Sequence, residues 1–476
     1  MYFRKNGNCR ATLANEGVEL MHLHELLDAF SIQNSYPSIQ IRGVETDSRR
    51  VQPGDVFFAL TGHTSNGHDY IDQAVAAGAA AVVGTQERAL LEVPYIRVAD
   101  TRKAVALAAK RFYNNPSSRK VVIGITGTNG KTTTSFLLRE MLEQAGKRCA
   151  LFGTVHYVIN GKTLPSPNTT PDSLQFQRLL HESEDDVVIM EVSSHGIDQL
   201  RIEGIEFDFA VFTNLDQDHL DYHGTMEAYF EVKSRLFNQL KTEGTAVIWK
   251  EDVWGSRLSD QLKTRGVRVL EVDKRNLEDS SQSHHLPFHN RINAELAATI
   301  AIQMGCSKEG IQQALHSFQG VPGRFEVILV SNDIHVVIDY AHTADAFNQV
   351  LSSVRNLAEG RILHVFGFRG NRDASKRQAM IDASLKGSDL SILTSDDRNG
   401  VSQLEMENQL DALEFTGKRI QDRTEAIRFA LEQASSGDWV VITGKGNEPY
   451  KDDYEAPCQS DRKTVEWYQK QEKIKL

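Results

Sequence analysis

Residues Thr126-Gly127-Thr128-Asn129-Gly130-Lys131-Thr132 directly follow the apolar run Val121-Val122-Ile123-Gly124-Ile125. A strand entering a glycine-bearing Lys-Thr turn, followed by the helical run Ser135–Gln144, is a phosphate cradle. The glycines let backbone N–H groups turn toward an anion, and the helix adds the positive end of its dipole. Lys131 would reach the outer phosphates, and the Thr132 hydroxyl would hold Mg²⁺. The glycines stand at 124, 127 and 130, whereas the common G-x-x-x-x-G-K-T spacing would need one at Ile125. The loop is therefore a variant of the common form.

Other chemistry-bearing residues lie downstream. Glu191 ends the apolar strand Val187–Met190 and is placed like a Walker-B acid for Mg²⁺; the plain alternative is a surface glutamate at a strand end. His219 follows Asp216 and Asp218 in a polar segment, where a lone histidine is more often packed or solvated than a ligand. Lys233, in the helical stretch Met226–Phe237, reads from its surroundings as a solvated helix lysine.

The elements that must position these groups read as α/β throughout. The first part alternates strands (Val56–Leu60, Ala80–Val83, Tyr95–Val98) with helices (Ile71–Ala77, Lys103–Phe112) and ends at the turn-rich joint Asn114–Ser118. The central part holds the phosphate-loop strand, Val187–Met190 and Ala210–Phe212. A second joint lies at Gln319–Gly323. Beyond it, buried-strand runs Val336–Ile338, Ile362–Phe366, Leu390–Leu393 and Trp439–Ile442 alternate with helices Ala346–Asn356, Lys376–Ser384 and Thr424–Ala434. Each of these strands leads into a polar cluster: Asp339–His342, Gly367–Asp373, Ser395–Asn399 and Gly444–Glu448. Ligands of open α/β sheets bind at that edge, so the four clusters define one functional rim.

The chain of 476 residues is too long for one core. A net charge of −11 argues against nucleic acid or an anionic membrane as partner. No apolar stretch has the about 18–20 residues of a membrane span. Cys9, Cys149, Cys306 and Cys458 lie far apart without metal-like pairing, which fits a reduced, cytoplasmic setting. Residues 1–20 are polar, lack an apolar signal core and read as an extension, disordered or preceding the true start.

The variant loop resembles that of the Mur ligase superfamily, and so do segments along nearly the whole chain. Asp47-Ser48-Arg49 with Pro53-Gly54-Asp55 is similar to that family's N-terminal domain. Asn168–Pro171, Glu191–His195 and Asp218–Gly224 are similar to its central domain. Pro322–Glu326, Asp339–Thr343 and Gly444–Gly446 are similar to its C-terminal domain. Within the superfamily the motifs most resemble the MurE type, which adds the third residue to the peptidoglycan stem peptide. The resemblance implies three domains: a UDP-sugar donor-binding domain (21–115), a P-loop ATP-binding domain (116–321) and a Rossmann-like amino-acid-binding domain (322–476). It implies an ATP-dependent, monomeric amide ligase working through an acyl phosphate.

The site roles implied by resemblance are as follows. Gly127, Thr128, Asn129, Gly130, Lys131, Thr132 and Thr133 hold the phosphates. Asn293 contacts adenine, and Arg324 and Asp339 reach ATP from the third domain. Thr132, Glu191, His219 and Lys233 surround two Mg²⁺ ions, with Lys233 as a CO₂-derived carbamate. Ser48, Asn66 and His68 take the uridine end of UDP-N-acetylmuramoyl-L-alanyl-D-glutamate; Asn168, Thr169, Thr170, Ser193 and Arg201 take its peptide end. Arg372, Asp396, Asp397, Arg398, Gly444 and Glu448 take the amino acid.

The acceptor rim departs from the family. The Asp-Asn-Pro-Arg loop of diaminopimelate-adding members is Asp396-Asp397-Arg398-Asn399 here; Gly-Lys-Gly-His-Glu is Gly444–Glu448 with Asn447; Phe368-Arg369 replaces a small, glycine-rich pair. Asp396, Asp397 and Glu448 are expected to favour a second amine, so lysine or ornithine should serve at least as well as meso-diaminopimelate. Two rivals remain at this point: a related ligase acting on another carboxylate, and a nucleotide-dependent regulatory protein without turnover.

Overall fold

The computed structural model describes residues 21–28, 38–62, 65–88, 91–275, 287–330 and 333–475. The expected N-terminal extension lies outside the described residues. The chain divides into two compact units: one of residues 1–119, 172–182 and 199–205, the other of the remainder.

In the first unit four short strands form one parallel sheet in sequence order: Gly43–Glu45, Asp55–Phe58, Ala81–Gly84 and Tyr95–Arg97. All four residues of the second and third strands are buried, as continuous apolar runs in parallel sheets are. The helix Thr101–Phe112 is capped by Asp100, whose carboxylate accepts from the Arg102 and Lys103 amides, and packs on Ser173–Glu182.

The second unit carries two larger sheets. In the eight-stranded one, Val121–Thr126 lies between Val187–Glu191 and Phe207–Phe212, all three parallel. The chain order reverses direction across Val121–Thr126, which makes its carboxyl end a switch point and places the phosphate loop in the crevice there. The sheet's remaining strands are Cys149–Phe152, Leu240–Trp249, Arg268–Val272 and an antiparallel hairpin edge, Tyr157–Ile159 with Lys162–Leu164. Helices Lys131–Gln144 and Phe288–Gln303 pack together over it. The expected stretch Met226–Phe237 is an α-helix to Ser234 that tightens into a 3₁₀ turn, Arg235–Gln239.

The six-stranded sheet runs Glu326–Val330, Ile334–Asp339, Trp439–Thr443, Ile362–Phe368, Leu390–Ser395 and Lys418–Arg419; only the first is antiparallel. Asp339 pairs in register with Thr443, and Phe368 with Ser395. The polar clusters after these strands therefore gather on one rim, as the sequence predicts. Among the described residues no helix is long and apolar enough to cross a membrane. Cys149, Cys306 and Cys458 are free thiols.

Candidate active site

The phosphate loop is held open by its glycines. Gly130 caps the helix in the left-handed region (φ 85°), and a Cβ there would stand 2.3 Å from the Asn293 side-chain oxygen. Gly127 (φ 144°) leaves no room for a side chain against Thr213. The Thr128 and Asn129 amides donate to the Asn214 backbone and side-chain oxygens at 2.9 Å, which fixes the turn. Asn293 is buried and accepts from Thr134, so the adenine candidate lies directly beneath the loop. Thr133 is buried on the first helical turn.

Two lysines converge on one backbone oxygen. Lys131 Nζ donates to Gly127 O (2.8 Å) and Thr128 O (2.9 Å), and Lys233 Nζ donates to Gly127 O at 2.8 Å. The expectation that Lys233 is solvated is wrong: it is 1% exposed, and its ammonium lies over the Tyr229 ring. Its helix carries little amphipathic pattern, so periodicity gave no sign of burial. Burial lowers both lysines; Lys233 is held well below the ordinary range, first by burial and then by the Lys131 charge. A half-buried and a buried lysine facing carbonyl oxygens form a site that an anion would complete.

Glu191 is fully buried rather than a surface group. Its Oε2 accepts from the Thr132 hydroxyl (2.9 Å) and the Thr154 hydroxyl (2.8 Å), and Oε1 accepts from the Thr154 amide. Gly153 permits this, since a Cβ there would meet the carboxylate at 2.1 Å. Thr154 was missed in the sequence, although it stands just past the strand Cys149–Phe152, much as Glu191 ends its own strand. Thr154 Oγ1 lies 3.2 Å from Thr169 Oγ1, so a candidate donor residue touches the Glu191 network. Thr170 donates to Glu191 O, accepts from the Ser193 amide and meets its hydroxyl at 3.1 Å; the Asn168 carbonyl accepts from Tyr157.

In the first unit, Ser48 donates to Gln73. Asn66 caps a 3₁₀ turn and bonds His68, whose Nε2 accepts from the Thr85 amide. Arg201 donates to Gln199. The described contacts of Ser48, Asn66 and His68 are thus with the helix Ile71–Ala76 and with nearby loop residues.

His219 adopts a left-handed backbone (φ 55°), and its ring stands edge-on to His195. Burial lowers it to about 3, so it is neutral and able to act as a ligand. Asp218 beside it is gripped by Lys376 Nζ (2.8 Å) and His342 Nε2 (3.2 Å), which bind the phosphate-loop sheet to the six-stranded rim. Neither was given a role in the sequence, although His342 ends the cluster Asp339–His342; Lys376 follows the cluster Gly370–Asp373 closely enough to have been suspected.

Asp218, His219, Arg369, Arg372, Lys376 and Asp396 help line one pocket. Arg372 is exposed there and has no hydrogen-bond or ion-pair partner among the described residues. Gly444 also lines it. Nearby, the Arg324 guanidinium stacks on Tyr340 at 4.1 Å; its Nη1 is buried without a hydrogen-bond partner among the described residues, and its charge acts on Lys131. Asp339 accepts from the Phe325 and Ala341 amides, which fixes the turn that carries Tyr340.

The carboxylates expected to attract a second amine are already neutralised. Asp396 and Asp397 are buried, and Lys445 Nζ, itself fully buried, pairs with both at 3.1 and 2.7 Å. Arg369 pairs with Asp396 and Glu448. Arg398 is turned to Asp452 at 3.0 Å, away from a substrate role. Sequence position could not reveal these partners because each lies on another strand's loop.

Among the described residues no three His, Cys, Asp or Glu side chains form a metal-holding group. Mg²⁺ in phosphoryl-transfer sites needs only one or two protein oxygens beside phosphate and water. Thr132 and Glu191, bonded to one another at the loop, fit that requirement.

Comparison with known proteins agrees with this geometry. Residues 125–312 match the Mur ligase middle domain, 323–446 the Mur ligase glutamate ligase domain, and 40–113 the Mur ligase family catalytic domain. A Geobacillus kaustophilus protein named "UDP-N-acetylmuramoyl-L-alanyl-D-glutamate--2,6-diaminopimelate ligase" is 39% identical over 86% of this chain and 91% of its own. A Geobacter metallireducens protein of the same name is 38% identical over 87% and 91%. A solved structure of a ligase with that name superposes with a TM-score of 0.64 at 30% identity, covering 94% of this chain and 99% of its own. The chain belongs to the Mur ligase family and has its three-domain α/β architecture.

Proposed function

We propose that this chain is an ATP-dependent amide ligase of the MurE type. It joins a diamino acid to the D-glutamate carboxylate of UDP-N-acetylmuramoyl-L-alanyl-D-glutamate. The observation that carries this reading is the shared pocket: Asp218 and His219, from the phosphate-loop sheet, face Arg372 from the rim of the other large sheet. The names of relatives at 38 and 39% identity support the same substrates.

A carboxylate does not react with an amine directly, because the leaving group would be an oxide. In the proposed reaction a donor carboxylate oxygen attacks the γ-phosphorus of ATP and releases ADP. The acceptor amine then attacks the acyl carbon, phosphate leaves with that oxygen, and the amine loses a proton. Lys131 and the loop amides hold the transferring group and offset its charge. Mg²⁺ at Thr132 and Glu191 supplies further neutralisation when bound. Arg324, with its unpartnered Nη1, reaches the nucleotide from the rim, and Asn293 lies under the adenine side. Thr169, Thr170 and Ser193 hold the donor's peptide end, and Ser48 and the Asn66–His68 turn its uridine end.

Lys233 carries a carbamate in this reading. The step needs a neutral amine: its nitrogen attacks CO₂ and loses a proton. The depressed Lys233 provides that amine. The product replaces that buried amine with an anion near Lys131. The domains are assigned to 21–115, 116–321 and 322–476, and the enzyme works as a cytoplasmic monomer. Incubating the UDP-muramoyl dipeptide, Mg·ATP and a panel of amino acids, followed by mass spectrometry, tests the function. The expected product is donor plus one diamino acid less water. Phosphate release that ignores donor and acceptor would overturn it.

A further inference from the structure

We propose that Arg369 is a specificity-determining residue that binds a second carboxylate on the acceptor, so that the pocket selects a diamino dicarboxylic acid over a diamino monocarboxylic one. The inference rests on the ligase reading above.

Arg369 follows directly on Phe368, at the carboxyl end of Ile362–Phe368, and its side chain is 19% exposed. Its Nε faces Asp396 at 3.4 Å, and its Nη2 donates to Gly444 O at 3.1 Å and to Glu448. The guanidinium stands 5.6 Å from the Tyr340 ring centre. Nη1 has no partner among the described residues. A guanidinium carries five N–H donors in a rigid fork. Here three contacts fix the fork, and Arg369 lines the pocket. Burial pulls Arg369 down, but Asp396, Tyr340 and Glu448 outweigh it and keep the group charged.

The pocket's other cations show why Arg369 stands apart. Lys376 is committed to Asp218, and Arg377 donates to Gln409 and to Arg369 O. Arg372 makes no hydrogen bond or ion pair among the described residues, and the Nη1 arm of Arg369 has no partner there, whereas Lys376 and Arg377 are each tied to a protein oxygen. Two guanidinium groups with open donors in one pocket match two carboxylates. Glu448 beside Arg369 accepts from Tyr340 through Oε1 and pairs with Arg369 through Oε2. A carboxylate has about four lone-pair sites, so Glu448 can also accept from an ammonium. A guanidinium and a carboxylate side by side complement an ammonium and a carboxylate on one carbon. Arg398 and Asn399 are committed elsewhere, to Asp452 and to Gly370 O.

The test compares meso-diaminopimelate with L-lysine, by turnover and by calorimetric binding in the presence of Mg²⁺ and a non-hydrolysable ATP analogue. Arg369→Met keeps the stem's packing, and Asp396 keeps Lys445, so the fold should persist; Arg369→Lys is the charge-conserving control. Losing one charged hydrogen-bond contact should raise KM and Kd for meso-diaminopimelate about ten- to a hundredfold. L-lysine should bind as well as before or better, with kcat little changed. Arg369→Lys should recover part of the loss. Equal effects on both acceptors, or an unchanged Kd for meso-diaminopimelate, would overturn the assignment. Selective binding without turnover would instead count against the ligase reading and leave the assignment standing.

Discussion

The phosphate loop and the acceptor rim occupy the carboxyl edges of two mostly parallel sheets in one unit, yet they manage charge in opposite ways. At the loop, Lys131 and Lys233 share a carbonyl oxygen, and burial depresses both. At the rim, Asp396, Asp397 and Glu448 are matched by Lys445 and Arg369. The first arrangement is incomplete without an anion. The second is complete on its own and leaves only chosen donors open. A site for phosphoryl transfer gains from uncompensated cations, because charge develops there. A site for selection gains from rigid pairs, because a wrong ligand must break them.

Removing the loop's cation should have the largest effect. Lys131→Ala is expected to lower kcat by about a thousandfold or more, in the range of removing a main charge-stabilising group. Its melting temperature should stay level or rise, because the half-buried charge that acts on Lys233 has gone. Measured turnover and thermal unfolding decide it; near-wild-type turnover would break the contrast. Lys233→Ala should lose most activity and recover part of it with formate or acetate, which replace the carbamate's oxygens. An active Lys233→Arg variant would argue against a carbamate.

At the rim the matching effects fall on stability and on KM. Lys445→Met leaves Asp396 without its buried lysine and Asp397 without any ion-pair partner. Breaking a buried pair costs about 3–5 kcal/mol, read as a lower denaturant midpoint. Wild-type stability would mean that the rim is not self-compensated. Arg372→Ala should raise acceptor KM about tenfold, the loss of one carboxylate contact, while kcat changes less. Unchanged acceptor kinetics would remove Arg372 from the clamp.

The contrast also explains what the sequence disclosed. The phosphate loop is local: strand, glycines, lysine and helix are contiguous, and Glu191 ends the neighbouring strand. The four rim clusters were legible because each follows a buried apolar run. The pairings within the rim were not, since Lys445 meets Asp396 across 49 residues and Arg369 meets Glu448 across 79. Lys233 was hidden for another reason. A lysine on a helix of weak amphipathicity looks solvated until the fold places Tyr229 and Gly127 over it.

The central claim is that the donor carboxylate is phosphorylated before the amine attacks. A donor labelled with oxygen-18 in the D-glutamate carboxylates, turned over with Mg·ATP and a diamino acid, tests this most directly. The account predicts that each released phosphate carries one labelled oxygen and that the amide product loses one. Unlabelled phosphate, or label recovered in AMP, would contradict it.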